Sequence, residues 1–116
     1  MDQSACKLTL VYPPAAEDHI VELLLNAEQP LSGFTTWRAA GHGHDFGKAS
    51  LRERVRGRVA RRVLVLILPR SRLSSVLEEI RSKAGIPNLT FWTESIDAFG
   101  RLAQIDPTEA EAQAAA

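Results

Sequence analysis

Gly33-Phe34-Thr35-Thr36-Trp37-Arg38, then Gly41-His42-Gly43-His44-Asp45, then a polar and basic stretch up to Val63-Leu64-Val65-Leu66-Ile67-Leu68, is the part of the chain that decides the fold. The first segment reads as a strand and the last as a second, fully apolar strand. Between them, about residues 41–60 form a connection longer than compact domains usually tolerate unless it has work to do. The apolar run at 63–68 is apolar at every position, so strand 61–68 should be central and covered on both faces.

Upstream, Cys6-Lys7-Leu8-Thr9-Leu10-Val11-Tyr12 alternates roughly in period two, as a half-buried strand does. Pro13-Pro14 stops it. Glu17 and Asp18 suit the first turn of a helix, where the positive end of the dipole favours acids. Ile20, Leu23, Leu24 and Ala27 follow at helical spacing, and Pro30, Ser32 and Gly33 turn the chain into the strand at about 33–40. Downstream of Pro69, Ser71 is a candidate N-cap. Leu73, Val76, Leu77, Ile80 and Ala84 predict an amphipathic helix, with Gly85 as its stop. Leu89–Glu94 predicts a fourth strand, and residues 96–105 a short extra strand or edge segment. The element order is β-α-β, long connection, β-α-β. That predicts an α+β, ferredoxin-like domain: a four-stranded antiparallel sheet with two helices on one face. The other face is then bare, and another copy of the chain is its expected cover.

Composition sets further bounds. The chain has 116 residues, 45% hydrophobic and 24% charged, with formal net charge +0. It is therefore one domain with no overall pull towards nucleic acid or anionic membrane. Residues 1–105 form the domain and 106–116 an acidic, Ala-rich tail expected to be flexible. One cysteine, Cys6, permits no internal disulfide. The absence of a signal-like N-terminus and of a long apolar run predicts a cytoplasmic location without membrane insertion.

Three groups of residues are candidates for function. His42 and His44 lie two apart, so in an extended segment both imidazoles share a side. With Asp45 they form a partial set for zinc, copper or nickel. These side chains leave a tetrahedral site open, to be completed by His19, the connection or a second subunit; a plain glycine-histidine turn is the alternative. Arg52, Arg54, Arg56 and Arg58 alternate, which would line one side of a ribbon with guanidinium groups for carboxylates or phosphates. A solvated edge that blocks aggregation is the competing reading. Gly41 and Gly43 supply the turn at the mouth of this connection. Trp37, Trp92 and Glu94 are packing residues or the lining of a pocket between subunits. No Ser/His/Asp set, phosphate loop or H-E-x-x-H motif is present, so no enzyme activity is expected.

Phe34–Arg38 running into Gly41-His42-Gly43, and Arg61–Pro69 returning, resemble the second and third strands and the T-loop base of the PII-like signalling proteins, which include PII and CutA. The match covers about residues 6–105. Ser95–Leu102 resembles the segment by which each subunit extends towards its neighbour. Gly41–His44 with Glu53–Arg58 and Arg61-Arg62 is similar to a PII-like branch often encoded beside heavy-metal efflux pumps. The resemblance implies a trimeric regulatory protein, related to nitrogen regulatory proteins, that binds a small ligand or transition-metal ion at the intersubunit cleft and loop. It also implies signalling to a partner such as a heavy-metal efflux transporter. One departure bears on the ligand: nucleotide-binding PII proteins carry a Gly-Asp-Gly-Lys type loop where this chain has Lys83-Ala84-Gly85-Ile86-Pro87-Asn88, so ATP or ADP binding of the usual kind is not expected. The alternative from a different class is a nucleic-acid-binding module using the arginine-rich loop, since the RNA recognition motif shares this element order.

Overall fold

A computed structural model describes residues 4–43 and 58–104. Strand β1 (Ala5–Tyr12) leads through a 3-10 turn (Pro14–Ala16) into helix α1 (Glu17–Leu25). Strands β2 (Phe34–Gly41) and β3 (Val59–Pro69) follow, then a second 3-10 turn (Arg70–Arg72), helix α2 (Leu73–Ala84) and strand β4 (Thr90–Ile96). The four strands form one sheet in the order β2-β3-β1-β4, with every neighbouring pair antiparallel. This is the ferredoxin-like arrangement expected from the element order, and the connection after Gly41 joins β2 to β3.

Period-two alternation decides which side chains meet the helices. Cys6, Leu8, Leu10 and Tyr12 of β1 and Leu64, Leu66 and Leu68 of β3 share one face and are buried. Register fixes the match: Cys6 lies opposite Leu68, Leu8 opposite Leu66, and Leu10 opposite Leu64. Ile20 and Leu24 of α1 and Val76 and Ile80 of α2, each pair four apart, close the core over them. Burying each such aliphatic side chain is worth about 1.5–3 kcal/mol.

No α-helix among the described residues covers the opposite face. There Val65 and Ile67 are only half-buried, and Trp37 and Trp92 remain 46% and 45% exposed. The two-sided apolar pattern of β3 is thus satisfied on one side by α1 and α2 and left partly open on the other. Thr9, in the middle of this face, is buried, and its Oγ1 has no hydrogen-bond partner among the described residues.

Four local expectations are revised. α1 ends at Leu25 rather than near Ala27: Asn26 leaves helical geometry at φ −98 and ψ 16, and the Ala27 N–H turns to the Leu24 carbonyl, three residues back, at 3.4 Å. Ser71 is not the cap of α2. The 3-10 turn at 70–72 intervenes, Arg72 takes the cap position, and no side chain caps it. β3 starts at Val59, two residues before the expected start at 61, because Val59 and Ala60 still pair with Gly41 and Ala40. Within 96–104 there is no extra strand: Ile96 completes β4 and Leu102–Gln104 is a 3-10 turn. Gly85 behaves as expected, taking φ 58 in the left-handed region at the end of α2.

Candidate ligand site at the base of the β2–β3 connection

Antiparallel pairing brings one end of every element together. Tyr12 at the end of β1 lies opposite Arg62 near the start of β3, and Arg62 lies opposite Arg38 near the end of β2. α1 begins here, because it follows β1 after a short turn, and β4 begins here at Thr90, opposite Val11. His42 and Gly43 leave β2 at this end, and Arg58 precedes β3.

The end is basic. Arg38 and Arg62 are direct cross-strand partners, a placement that disfavours two like charges unless one is compensated. Glu17 supplies the compensation: its Oε2 lies 3.5 Å from Arg62 Nε. Tyr12, wholly buried, donates its hydroxyl to Glu17 Oε1 at 3.3 Å. Burial, reinforced by the Glu17 carboxylate, pushes the Tyr12 phenol well above its ordinary range against the opposing pull of Arg62. Arg38 and Arg58 are exposed and make no ion pair among the described residues. Arg61 turns back and donates to the Ala60 carbonyl at 2.8 Å.

The expected site residues are distributed unevenly over this frame. His42, Gly41, Gly43 and Arg58 stand at the base of the connection. His44, Asp45, Arg52, Arg54 and Arg56 lie outside the described residues. Among the described residues no three histidine, cysteine, aspartate or glutamate side chains converge as a metal site. His19 lines a shallow hollow with Glu22 and Asn26 of the α1 segment and Glu79 and Lys83 of α2. Trp37 and Trp92 share the open sheet face but belong to its two outer strands, separated by β3 and β1, roughly 14 Å at ordinary strand spacing. Glu94 accepts a hydrogen bond from Trp92 Nε1 at 3.2 Å and pairs with Lys7 at 3.7 Å, so it is a partner on its own sheet.

Sequence reasoning did not foresee the Tyr12–Glu17–Arg62 set. Glu17 carried only the signal of a first-turn acid. Its second role requires the register of β1 against β3, which no local pattern supplies.

Comparison with known proteins decides the family. A family model described as protein of unknown function DUF3240 matches residues 2–103. The chain belongs to the DUF3240 family. A crystal structure of a DUF3240 family protein from Shewanella baltica OS155 superposes with a TM-score of 0.70 at 20% identity, covering 88% of this chain and 99% of that one. CPII from Thiomonas intermedia K12, a nitrogen regulatory PII-like protein bound to ADP, AMP and bicarbonate, superposes with a TM-score of 0.63 at 16% identity, covering 85% and 97%. No curated protein matches the sequence. This DUF3240 chain therefore has the PII-like, ferredoxin-like fold. No helix among the described residues is long and apolar enough to cross a membrane.

Proposed function

We propose that this DUF3240 protein is a PII-like regulatory sensor that binds a small anion at the base of the β2–β3 connection and relays occupancy to a partner. The observation that carries the reading is the set of cations at one end of the sheet, Arg38, Arg58, Arg61 and Arg62, with Glu17 already engaged by Arg62 and Tyr12. Guanidinium forks match carboxylate, bicarbonate and phosphate oxygens. The fold relative CPII is bound to ADP, AMP and bicarbonate, which are all anions. The 85–89 segment lacks the usual phosphate loop, so a compact oxyanion suits this chain better than a nucleoside triphosphate. Ligand contacts that order the connection would expose or withdraw a surface for the partner, a familiar switching mode. A heavy-metal efflux transporter is the partner class proposed, and the protein acts by binding, without turnover.

The active form proposed is a homo-oligomer, a trimer, that covers the open sheet face with its half-exposed Trp37, Trp92, Val65 and Ile67. A transition-metal ion at His42, with His44 and Asp45, is the second reading. His42 stands exposed immediately beyond β2, at the mouth of the connection. Nucleic-acid binding is less well supported. The inner strands present Thr9, Val11, Val63, Val65 and Ile67 on the open face, without an aromatic to stack a base.

Native mass spectrometry and calorimetry with bicarbonate, AMP, ADP, ATP, zinc, copper and nickel test these readings. Uptake of an anion that Arg38→Ala weakens supports the first. Metal uptake abolished by His42→Ala with His44→Ala replaces it with the second.

A further inference from the structure

Arg38, Arg58, Arg61 and Arg62 stand at one end of the sheet but not on one face, and the alternation of β3 separates them. Arg62 lies two residues before Leu64 and opposite Tyr12, both core residues, so it belongs to the helix side. Arg38, its cross-strand partner on β2, is on the same side. The contact of Arg62 with Glu17, at the start of α1, agrees with this placement. Arg61 alternates to the open side, opposite Ala39, and its guanidinium turns to the Ala60 carbonyl.

Beyond the Arg38–Arg62 pair, the next helix-side pair is Ala40 opposite Ala60. Both alanines are exposed, and their methyl groups fill little of the space above this step of the ladder. The alternation of β3, carried one residue before the strand, brings Arg58 to the far side of the step. Arg58 and Arg62 are then about 13 Å apart along the chain, a span over which two long side chains can converge on one small ion. Arg38 and Arg58 are exposed and make no ion pair among the described residues. Arg62 meets Glu17 at 3.5 Å, longer than a hydrogen bond, and its guanidinium keeps donor capacity for a ligand.

We infer that a dianion of the phosphate class sits over the Ala40–Ala60 pair, on the helix side of the sheet, held by Arg38, Arg58 and Arg62. The inference rests on the anion-sensor reading above and names its ligand class and its seat. Three guanidinium groups against the Glu17 carboxylate leave two positive charges, which a dianion matches and bicarbonate does not. Tetrahedral oxygens also point in several directions, so forks arriving from different strand positions each find one. Planar bicarbonate offers its oxygens in one plane only. Arg61, on the other side of the sheet, takes no part.

Calorimetric titration in a zwitterionic buffer at neutral pH compares sulfate, inorganic phosphate, AMP and bicarbonate. Sulfate and phosphate should bind at least about tenfold more tightly than bicarbonate. Ala60→Leu fills the step and Arg58→Ala removes one arm, and each should weaken phosphate about tenfold, the worth of one charge-assisted contact. Arg61→Ala should stay within about twofold of wild type. Arg58 is exposed and precedes β3, so its variant reads the site even if Ala60→Leu disturbs the strand. AMP bound as tightly as phosphate supports a phosphomonoester as the ligand, and phosphate bound alone supports the free ion. A preference for bicarbonate over both sulfate and phosphate overturns the ligand class. An Arg61→Ala protein as weak as Arg58→Ala, or an Arg58→Ala protein that binds like wild type, overturns the seat. Either result leaves the anion sensor standing, whereas a wild-type protein that takes up no anion overturns both readings.

Discussion

Tyr12 and Arg62 lie opposite each other on β1 and β3 and share one acceptor, the Glu17 carboxylate at the start of α1. One carboxylate thus fastens the first helix to the sheet and neutralises one of the two arginines that face each other at the base of the connection. Replacing Glu17 by Ala should cost about 1–2 kcal/mol, since both partners are then left partly buried without an acceptor. Tyr12→Phe should cost less, about 0.5–1.5 kcal/mol, because Glu17 keeps Arg62. Urea unfolding at pH 7 measures both. A smaller effect for Glu17→Ala than for Tyr12→Phe would show that the carboxylate does not join the two.

The same phenol sets a pH dependence. Its folded-state pKa is raised above the ordinary value of 10.0, so the folded protein keeps the proton where the unfolded chain has begun to lose it. The stabilisation is complete below pH 10.0 and is lost as pH rises through the folded-state value. Unfolding free energy should therefore fall above about pH 10 with a component that Tyr12→Phe removes. Urea midpoints from pH 8 to 11 for the two proteins should diverge on the alkaline side. Parallel curves would assign the whole decline to other groups.

Much of this fold is legible in residue patterns. The alternation of Cys6–Tyr12 and the three-four spacing from Leu73 to Ala84 each report one buried face by period, while the uninterrupted apolar run at Val63–Leu68 reports an inner strand but not that its second face is left half-open. The helix stop at Gly85 is readable because a left-handed residue favours glycine. The candidate site was less accessible, since its residues are brought together by register. Arg38 opposite Arg62, and Glu17 reaching Arg62, are consequences of how β1, β2 and β3 align. Ser71 resembles a cap without being one for a local reason: a 3-10 turn between Pro69 and Leu73 displaces the helix start without altering its apolar spacing.

Gly85 supplies a prediction about backbone alone. Its φ is 58, and a Cβ there would meet nothing within 4 Å. Gly85→Ala should therefore cost about 1 kcal/mol through conformation only, and Gly85→Asn less, because asparagine tolerates the left-handed region. Thermal melts of the two variants give the order. An equal loss for both would point to a packing role for this turn instead.

Thr9 makes the opposite case. Its Oγ1 is buried on the open sheet face without a partner among the described residues, so these residues give the hydroxyl nothing in return for being taken out of water. Thr9→Val keeps the branched shape and removes that cost, and should raise stability by about 1 kcal/mol. The sign is the informative part. A more stable variant identifies the hydroxyl as unsatisfied wherever the protein works. A variant less stable than wild type, with its loss growing as protein concentration rises, means that another copy provides the missing acceptor.

Arg38 tests the proposed site most directly. It is exposed, opposite Arg62, and makes no ion pair among the described residues, so its guanidinium is not spent on holding the fold. Removing it relieves a like-charge cross-strand pair, and Arg38→Ala should leave stability unchanged or slightly raised, within about 0.5 kcal/mol. Anion affinity should fall by about tenfold or more, the worth of one charge-assisted contact. Calorimetric titration with bicarbonate and AMP, alongside a urea melt, reads the two quantities separately. Lost affinity with intact stability places the anion at the base of the connection. Lost stability would instead make Arg38 part of the scaffold, and unchanged affinity would move the ligand away from this end of the sheet.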